Sequence, residues 1–83
     1  MWHVYILKCA DKTLYTGITT DIKRRTEEHN SSVLGAKYTR NRRPVILVYS
    51  RRYKSRSAAA REEWRLKQLP RVEKLKIINH KNK

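Results

Sequence analysis

The sequence predicts a small α/β (α+β) domain, a three-stranded antiparallel sheet flanked by helices in the order ββαβαα. Two short apolar runs near the start are separated by a turn-like segment at residues 10–13, which is typical of a β-hairpin. A third apolar run follows Pro44, and helical patterns follow that run. A chain of 83 residues can form only a thin core. We therefore predict a single domain over residues 1–83, with a frayed tail at residues 80–83.

The three strands are predicted from their apolar residues. Residues 2–9 and 13–19 alternate or run apolar and are expected to pair as the hairpin. Pro44 opens a continuous apolar run at residues 45–49, which is typical of a strand covered on both faces. We expect helices to cover the sheet that these strands form.

Three helices are predicted, over residues 21–30, over residues 58–68 and from Pro70 to about Asn79. Ser55 or Ser57 can cap the second of them, and Pro70 ends that helix and begins the next. The polar and basic residues 31–43 form a long loop before the third strand. A loop longer than about 12 residues in so small a domain is usually functional.

Composition favours a nucleic acid as the partner. The 21 Lys and Arg residues against 7 Asp and Glu residues give a net charge of +14, spread along the whole chain. A compact domain with this charge repels itself, so an anionic partner is expected. A membrane is the second anionic candidate, but no apolar run approaches the ~18 residues that span a bilayer, and the first residues lack the layout of a signal peptide. We expect no membrane association.

The single cysteine, Cys9, cannot form an internal disulfide, and it cannot form a thiolate metal site alone. This cysteine usage fits a protein of the reducing cytoplasm. We interpret Cys9 as a small buried apolar residue, and we assign the aromatic residues Trp2, Tyr49 and Trp64 to the core or its edge.

Helical spacing selects two residues of the first helix. Stepping at 100° per residue from Ile22, its one apolar residue, places Arg25 and His29 on the side of the sheet. Arg24 and Glu28 fall on the far side as an i,i+4 ion pair. Turning Arg25 toward the sheet costs desolvation unless the guanidinium meets an anion. That anion is either a carboxylate of the protein or a bound phosphate.

The same procedure singles out Glu63 in the later helix. One arc of that helix contains Ala59, Ala60, Glu63, Trp64, Leu66 and Lys67. Glu63 lies near the centre of the arc and Glu62 at its edge. An ionised carboxylate is rarely buried without a partner, so Glu63 either pairs with Arg25 or Lys67 or binds a hard cation. Magnesium is bound in proteins by one or two carboxylates together with waters and substrate phosphates.

Two tyrosines ten residues apart occur on the predicted hairpin, Tyr5 in His3-Val4-Tyr5-Ile6 and Tyr15 in Tyr15-Thr16-Gly17. A two- or four-residue hairpin loop would put their phenols on opposite faces, because side chains alternate along a strand. Convergence on one cleft requires an odd loop or a bulge, and Gly17 is the expected position of a bulge. Without convergence, both are ordinary strand residues.

The candidates for nucleic-acid binding lie in the long loop and after the third apolar run. They are Lys37, Tyr38, Arg40, Arg42, Arg43, Arg51, Arg52 and Lys54. The cations are expected to contact phosphates, and Tyr38 can stack on a base. Binding of this kind depends strongly on salt and only weakly on sequence.

The order Tyr5, Tyr15, Arg25, His29 and Glu63 resembles the GIY-YIG nuclease family, from about Trp2 to about Leu69. The resemblance implies that Tyr5 and Tyr15 are the GIY and YIG tyrosines and that Gly17 is the structural YIG glycine. It also implies that Arg25 and His29 form the R-x-x-x-H pattern and that Glu63 binds the metal. Three motif positions depart from the family: His3 replaces a glycine, and Val4 and Thr16 replace isoleucines. The chain is similar to the small stand-alone members of the family.

The resemblance also implies an activity, the hydrolysis of phosphodiester bonds with one divalent ion, Mg²⁺ or Mn²⁺. In this chemistry Tyr5 takes or relays the proton of the attacking water, which requires its phenolate to become accessible beside Arg25 and the metal. Tyr15 and His29 would position the water or the phosphate, Arg25 would hold the phosphoryl oxygens, and Glu63 would hold the metal.

Three functions follow from the residues and the resemblance. The first is a metal-dependent endonuclease that acts on DNA, with branched DNA or repair intermediates as substrates. The second is a basic nucleic-acid-binding module that does not cleave. The third is a partner subunit that completes or targets a larger nuclease, which would also supply specificity. The presence of Tyr5, Arg25 and Glu63 together favours the enzyme, since phosphate binding alone needs only Lys and Arg.

Overall fold

A computed structural model of the protein describes residues 1–31 and 37–81. Its single sheet consists of β1 (Trp2–Lys8), β2 (Leu14–Thr19) and β3 (Ile46–Tyr53). The order of the strands is β2-β1-β3, and both pairs are antiparallel. The predicted fold class is therefore confirmed.

Four helices flank the sheet, namely α1 (Ile22–Ser31), α2 (Lys37–Arg40), α3 (Arg56–Gln68) and α4 (Arg71–Lys81). The predicted cap of α3 is confirmed at Ser55, whose hydroxyl accepts a hydrogen bond from the backbone N–H of Ala58. The predicted tail at residues 80–83 starts too early, because α4 continues through Lys81. The end of that prediction, residues 82–83, lies outside the described residues.

The loop predicted over residues 31–43 contains the short helix α2. Its central part, residues 32–36, lies outside the described residues. After α2, the backbone N–H of Arg42 donates to the carbonyl of Thr39, which ends the helical turn. The backbone N–H of Ala10 in the β1–β2 turn donates to the carbonyl of Arg42, so this region is held against the hairpin.

The turn between β1 and β2 has an odd number of residues. The backbone N–H of Cys9 donates to the carbonyl of Thr13, and the N–H of Lys12 donates back to the carbonyl of Cys9. The loop is therefore residues 10–12, and Lys12 has a φ of 69°, the left-handed conformation that three-residue hairpin loops use.

The odd turn is the first of the two alternatives that convergence was predicted to require, so β2 needs no bulge at Gly17. Tyr5 pairs with Gly17 and Leu7 with Tyr15 in an uninterrupted register, so all four residues lie on one face of the sheet. The register shift in the sheet lies instead between β1 and β3, where Val48 is the extra residue.

The prediction that the third strand is covered on both faces is also wrong. β3 is an edge strand, and the side chains of Ile46 and Leu47 are exposed. The apolar run continues into the polar residues up to Tyr53, which still pair with β1. Pairing with the central strand, rather than burial, therefore sets the length of β3.

The core forms on both faces of the sheet. The larger group, here called the apolar cluster, consists of Val4, Ile6, Tyr49, Ala59, Leu66 and Ile78 and joins the sheet to α3 and α4. On the other face, Tyr5, Leu7, Cys9 and Val45 are buried, so the prediction for Cys9 is confirmed.

The three aromatic residues assigned to the core have different environments. Tyr49 belongs to the apolar cluster, and Trp2 packs against it while partly exposed. Trp64 is 67% exposed, so its assignment to the core is wrong. In residues 1–31 and 37–81, no helix combines the length and the apolarity needed to cross a membrane.

Candidate active site

Tyr5 and Tyr15 converge with His29 on the face of the sheet opposite the apolar cluster. Their ring centroids lie 6.4 Å apart, and the ring of Tyr15 lies 5.0 Å from that of His29. The three-residue turn produces this convergence because it brings both tyrosines to the same face. We refer to Tyr5, Tyr15 and His29 as the aromatic cluster.

His29 connects the aromatic cluster to the region after α1. It is fully buried, its Nε2 lies 3.0 Å from Oη of Tyr5, and its Nδ1 lies 2.8 Å from Oγ1 of Thr39. Burial, with a smaller contribution from the positive charge of Arg25, lowers the pKa of His29 to about 4. The imidazole is therefore neutral at pH 7. Thr39 is fully buried beside it, and no pattern in the sequence distinguished this threonine.

Tyr5 is held in its protonated form. Burial raises the pKa of its phenol to about 12, although its hydrogen bond with Arg25 acts in the opposite direction. The charges of Tyr15 and Glu63 raise the pKa further. The predicted effect of Arg25 is present, but in the protein alone burial outweighs it. A proton can leave Tyr5 at neutral pH only if an acceptor takes it, and Nε2 of His29 is within hydrogen-bond distance.

The phenol of Tyr5 packs directly against Gly17. A Cβ atom at this position would lie 2.6 Å from Oη and 2.7 Å from Cζ of Tyr5, closer than van der Waals contact allows. Only a residue without a side chain lets the phenol cross β2 and reach His29.

Arg25 lies on the side of α1 that faces the sheet, as the helical spacing predicted, and its side chain is 26% exposed. It meets the carboxylate of Glu28, with 2.8 Å between Nη1 and Oε1. Glu28 also lies 3.7 Å from Arg24, so the predicted Arg24–Glu28 pair is present but shared. The hydrogen bond from Arg25 to Glu28 raises the pKa of the guanidinium. The anion that Arg25 meets is thus Glu28 rather than Glu63.

The two glutamates of α3 lie on opposite flanks of the helix. Ala59 and Leu66 are fully buried and mark the line along which α3 contacts the sheet. Steps of 100° put Glu62 about 50° to one side of that line and Glu63 about 50° to the other. Glu62 is the less exposed, at 12% against 23%, so the prediction that it lies at the edge of the buried arc is wrong. Counting Trp64 as a buried residue shifts the predicted centre of the arc toward Glu63, although Trp64 is exposed.

Each flank has its own contacts. Glu62 accepts hydrogen bonds from Arg65 and from Oη of Tyr53 on β3. Oε2 of Glu63 lies 3.3 Å from Nζ of Lys67, which is one of the two ion pairs considered from the sequence. The charge of Glu63 makes a small contribution to the raised pKa of Tyr5, so this carboxylate lies within electrostatic range of the phenol.

The donors present fit a divalent ion only in a site completed by substrate. Among the described residues, no group of three or more His, Cys, Asp and Glu side chains could surround a metal. Glu63 offers one partly exposed carboxylate within electrostatic range of Tyr5. One carboxylate with waters and phosphate oxygens is a typical set of ligands for Mg²⁺.

The predicted contact of Tyr38 with a base stays a prediction, and this residue is 39% exposed. Its ring stacks on Tyr15, with centroids 5.9 Å apart, and the guanidinium of Arg42 lies 4.0 Å from its centroid. Arg42 in turn lies 3.0 Å from a carboxylate oxygen of Asp11 and donates to the carbonyl of Tyr38. Neither residue stood out in this role in the sequence, because the contacts join the turn to a segment about 30 residues away. Tyr38 and Arg42 therefore support Tyr15.

The other predicted phosphate contacts lie in three places. Arg43 donates to the backbone carbonyl of His29 and so belongs to the wall of the cluster. Lys37 and Arg40 are exposed on α2. The remaining cations are exposed on β3 and just after it, and they are Arg51, Arg52 and Lys54.

Comparison with known proteins agrees with this geometry. The GIY-YIG catalytic domain matches residues 1–76. A UPF0213 protein of Desulfotalea psychrophila is 54% identical over 82 residues, which are 99% of this chain and 74% of the relative. A UPF0213 protein of Staphylococcus haemolyticus is 48% identical over 79 residues, which are 95% of each chain.

Two solution NMR structures are similar as well. The UPF0213 protein BH0048 of Bacillus halodurans superimposes with a TM-score of 0.63 at 44% identity, over 98% of this chain and 86% of that chain. The protein EF2693 of E. faecalis superimposes with a TM-score of 0.65 at 39% identity, over 96% of this chain and 84% of that one.

Proposed function

Because the chain belongs to the GIY-YIG family, whose catalytic domain is a nuclease domain that acts on nucleic acid, we propose that it is a metal-dependent endonuclease. Its substrate is DNA, with branched DNA or repair intermediates as the physiological targets. The observation that carries the proposal is the convergence of Tyr5, Tyr15, Arg25 and His29 around one buried hydrogen bond, with Glu63 within electrostatic range of Tyr5. A domain that only bound phosphates would not need this buried polar group.

The Tyr5–His29 hydrogen bond supports a proton relay. In the tautomer in which Nδ1–H of His29 donates to Thr39, Nε2 has a free lone pair that accepts from the phenol of Tyr5. As Tyr5 takes a proton from the attacking water, its own proton passes to His29. The water becomes hydroxide and attacks phosphorus, while the proton remains on the imidazole. The bond between phosphorus and the leaving oxygen breaks, and the leaving oxygen takes a proton from solvent.

A bound substrate would favour this direction of transfer. Burial and, to a smaller extent, the positive charge of Arg25 oppose protonation of His29, and a bound phosphodiester would offset the charge of Arg25. Arg25, which is hydrogen-bonded to Tyr5, is the guanidinium that would hold the phosphoryl oxygens. Tyr15 packs between the ring of His29 and that of Tyr38 and limits where the phosphate can lie.

Glu63 is the residue that would hold the divalent ion, Mg²⁺ or Mn²⁺, which when bound neutralises charge on the phosphate and the leaving oxygen. Lys67 would release the carboxylate at small cost, because an exposed i,i+4 pair is worth only about 0.2–0.5 kcal/mol. A substrate phosphate and waters complete the coordination.

The test compares the two adjacent glutamates. Purified protein is incubated with labelled duplex, branched and single-stranded DNA in Mg²⁺ or Mn²⁺, and cleavage is measured on denaturing gels. We expect Glu63→Ala to abolish cleavage while its folding is unchanged and its DNA binding is equal or stronger. Glu62→Ala should cleave at the wild-type rate but lose about 1–2 kcal/mol of stability, because Tyr53 and Arg65 lose their acceptor.

Other results would contradict the proposal. A wild type that binds DNA tightly but cleaves none of these substrates with either metal would favour the non-catalytic binding module. Cleavage that occurs only after a partner nuclease is added would favour the partner subunit. Equal loss of activity in the two variants would remove Glu63 from the metal site.

A further inference from the structure

We propose that a groove between β3 and α3 binds an unpaired nucleic-acid strand next to the active site. The inference rests on the proposed function and deepens it, because it specifies a substrate with single-stranded character. The groove, here called the Trp64 groove, has a volume of about 480 Å³ and is lined by Arg51, Tyr53, Ala58, Arg61, Glu62, Trp64 and Arg65.

The exposure of Trp64 points to a planar ligand. Its side chain is 67% exposed, the highest value among the large apolar residues described. The exposed indole presents a large flat surface on which another aromatic ring can stack. Bases of single-stranded nucleic acid stack on such rings with little sequence preference. In a duplex the base faces are already stacked, so they are not available to Trp64.

The charge of the groove selects an anionic strand. Three arginines line it against a single carboxylate. Glu62 is engaged by Arg65 and by the hydroxyl of Tyr53, which leaves the groove with an excess of positive charge. The guanidinium of Arg51 lies 5.6 Å from the centroid of the Tyr53 ring, an arrangement that also accepts stacked bases. Aromatic rings interleaved with arginines match the alternating bases and phosphates of an unpaired strand.

The position of the groove connects it to the chemistry. Glu62 lines the Trp64 groove on one flank of α3, and Glu63, the proposed metal ligand, lies on the other flank. The two flanks are separated by the width of a helix, about 10 Å with side chains. A strand that leaves the scissile phosphate near Glu63 and crosses α3 at Trp64 therefore enters the groove directly. The groove extends into a second hollow that shares Arg51, Glu62 and Arg65 with it and adds the ion pair of Lys76 and Glu73.

The experiment measures binding separately from cleavage. Fluorescence anisotropy without divalent metal gives the Kd of the full-length protein for labelled oligothymidylate and for a blunt duplex of equal length. We expect Trp64→Leu to weaken binding to oligothymidylate about 5- to 150-fold, the range for the loss of one stacked base, and to leave the duplex Kd unchanged. Trp64→Tyr should bind oligothymidylate as the wild type does. Binding should quench the fluorescence of Trp64 in the wild type, and this quenching should be absent in Trp64→Tyr.

A matched control uses another exposed apolar residue. Val72 on α4 is 58% exposed and does not line the groove, so Val72→Ala should bind both ligands as the wild type does. Circular dichroism and thermal unfolding show whether each variant is folded. Equal binding of oligothymidylate by the wild type and Trp64→Leu, or a parallel loss for both ligands, would overturn the proposal. Because no metal is present, a wild type that never cleaves would refute the nuclease function and leave this result standing.

Discussion

The two faces of the sheet are built from neighbouring residues of one strand and serve different purposes. On one face, Val4 and Ile6 of β1 enter the apolar cluster with Leu66 and Ile78. On the other face, Tyr5 lies between them in the sequence and joins buried polar groups of other elements. The alternation of side chains along β1 thus separates a core that stabilises the domain from a buried polar site.

This difference shows how a chain of 83 residues can hold a buried polar site. Burying Tyr5 and His29 costs desolvation, which appears as the raised pKa of one and the lowered pKa of the other. The compensation is local, since each ring has a hydrogen-bond partner. The larger of the two buried apolar groups lies on the other face and contributes the larger share of the stability. Changes on the two faces should therefore separate activity from stability.

The largest expected effect is that of Tyr5→Phe. Removal of the hydroxyl abolishes the proton relay. The loss of a positioned acid–base group typically lowers a rate by about 10²- to 10⁴-fold. The free energy of unfolding should fall by only about 1–2 kcal/mol, because the hydrogen bonds of the hydroxyl with His29 and Arg25 are lost while the ring remains. Single-turnover cleavage and urea unfolding measure the two effects.

The matched change on the apolar face is Leu66→Ala. Leu66 is fully buried, so truncation should cost about 2–5 kcal/mol of stability. Cleavage by the folded fraction, measured well below the melting temperature, should stay close to wild type. If Leu66→Ala reduced the rate as strongly as Tyr5→Phe, the two faces would not be independent.

The next largest effect is expected from Gly17→Ala, which changes the residue against which the phenol of Tyr5 packs. The new methyl group would lie 2.6 Å from Oη, so the phenol has to move away from His29. Overpacking of this kind costs about 1–3 kcal/mol, more than the ~0.4–1 kcal/mol gained by restricting the unfolded chain. We expect a fall in stability and a loss of at least about 10-fold in cleavage.

A double variant tests whether this effect passes through Tyr5. In the Tyr5→Phe background, the atom nearest to the new methyl group is absent and the relay is already lost. Gly17→Ala should then change the residual cleavage rate little. A full and independent loss of rate in that background would show that Gly17 acts by another route.

The order of the elements and most of the candidate site follow from local pattern. The period of apolar residues predicts strands and helices, and the 100° step correctly turned Arg25 and His29 toward the sheet. What could not be predicted depends on contacts distant in sequence. The odd number of residues in the β1–β2 turn is set by the backbone hydrogen bond between Cys9 and Thr13. The burial of Thr39 depends on His29, ten residues earlier.

The errors on α3 and β3 have a common cause. Both predictions took apolar character as a sign of burial, yet Trp64 and Ile46 are exposed. Counting Trp64 as buried moved the predicted contact line away from Ala59 and Leu66 and so misplaced Glu62. A surface ring beside arginines and an apolar residue on a sheet edge are not distinguishable from core residues by hydropathy alone.

A smaller effect is expected from pH, through His29. Its pKa is about 4 in the folded protein against 6.5 ordinarily, so below pH 6.5 the unfolded chain binds a proton that the folded protein does not. Stability should therefore fall by about 2 kcal/mol between pH 7.5 and pH 5. Asp11 and Glu62, whose pKa values are lowered, lose their contributions only at lower pH.

Urea unfolding across this range measures the slope. His29→Gln should be less stable at neutral pH and nearly independent of pH between 7.5 and 5, because the other groups with shifted pKa values titrate outside that window. A wild type whose stability is constant down to pH 5 would mean that the imidazole is already charged or accessible in the folded state.

The smallest effect is a gain in stability at the apolar face, from Thr16→Val. Thr16 pairs with Ile6 on that face and stands where the family has isoleucine. Among the buried side-chain nitrogen and oxygen atoms of the described residues, its Oγ1 is the one without a hydrogen-bond partner. An unsatisfied buried hydroxyl costs about 1–3 kcal/mol, and valine has nearly the same shape, so the variant should be about 1 kcal/mol more stable. Cleavage should not change, because the hydroxyl lies on the face away from Tyr5.

Thr39→Val, which removes the partner of His29 on the other face, should instead destabilise the protein and reduce cleavage. If both threonine variants shifted stability in the same direction, the polar groups of the two faces would not differ in the way proposed here.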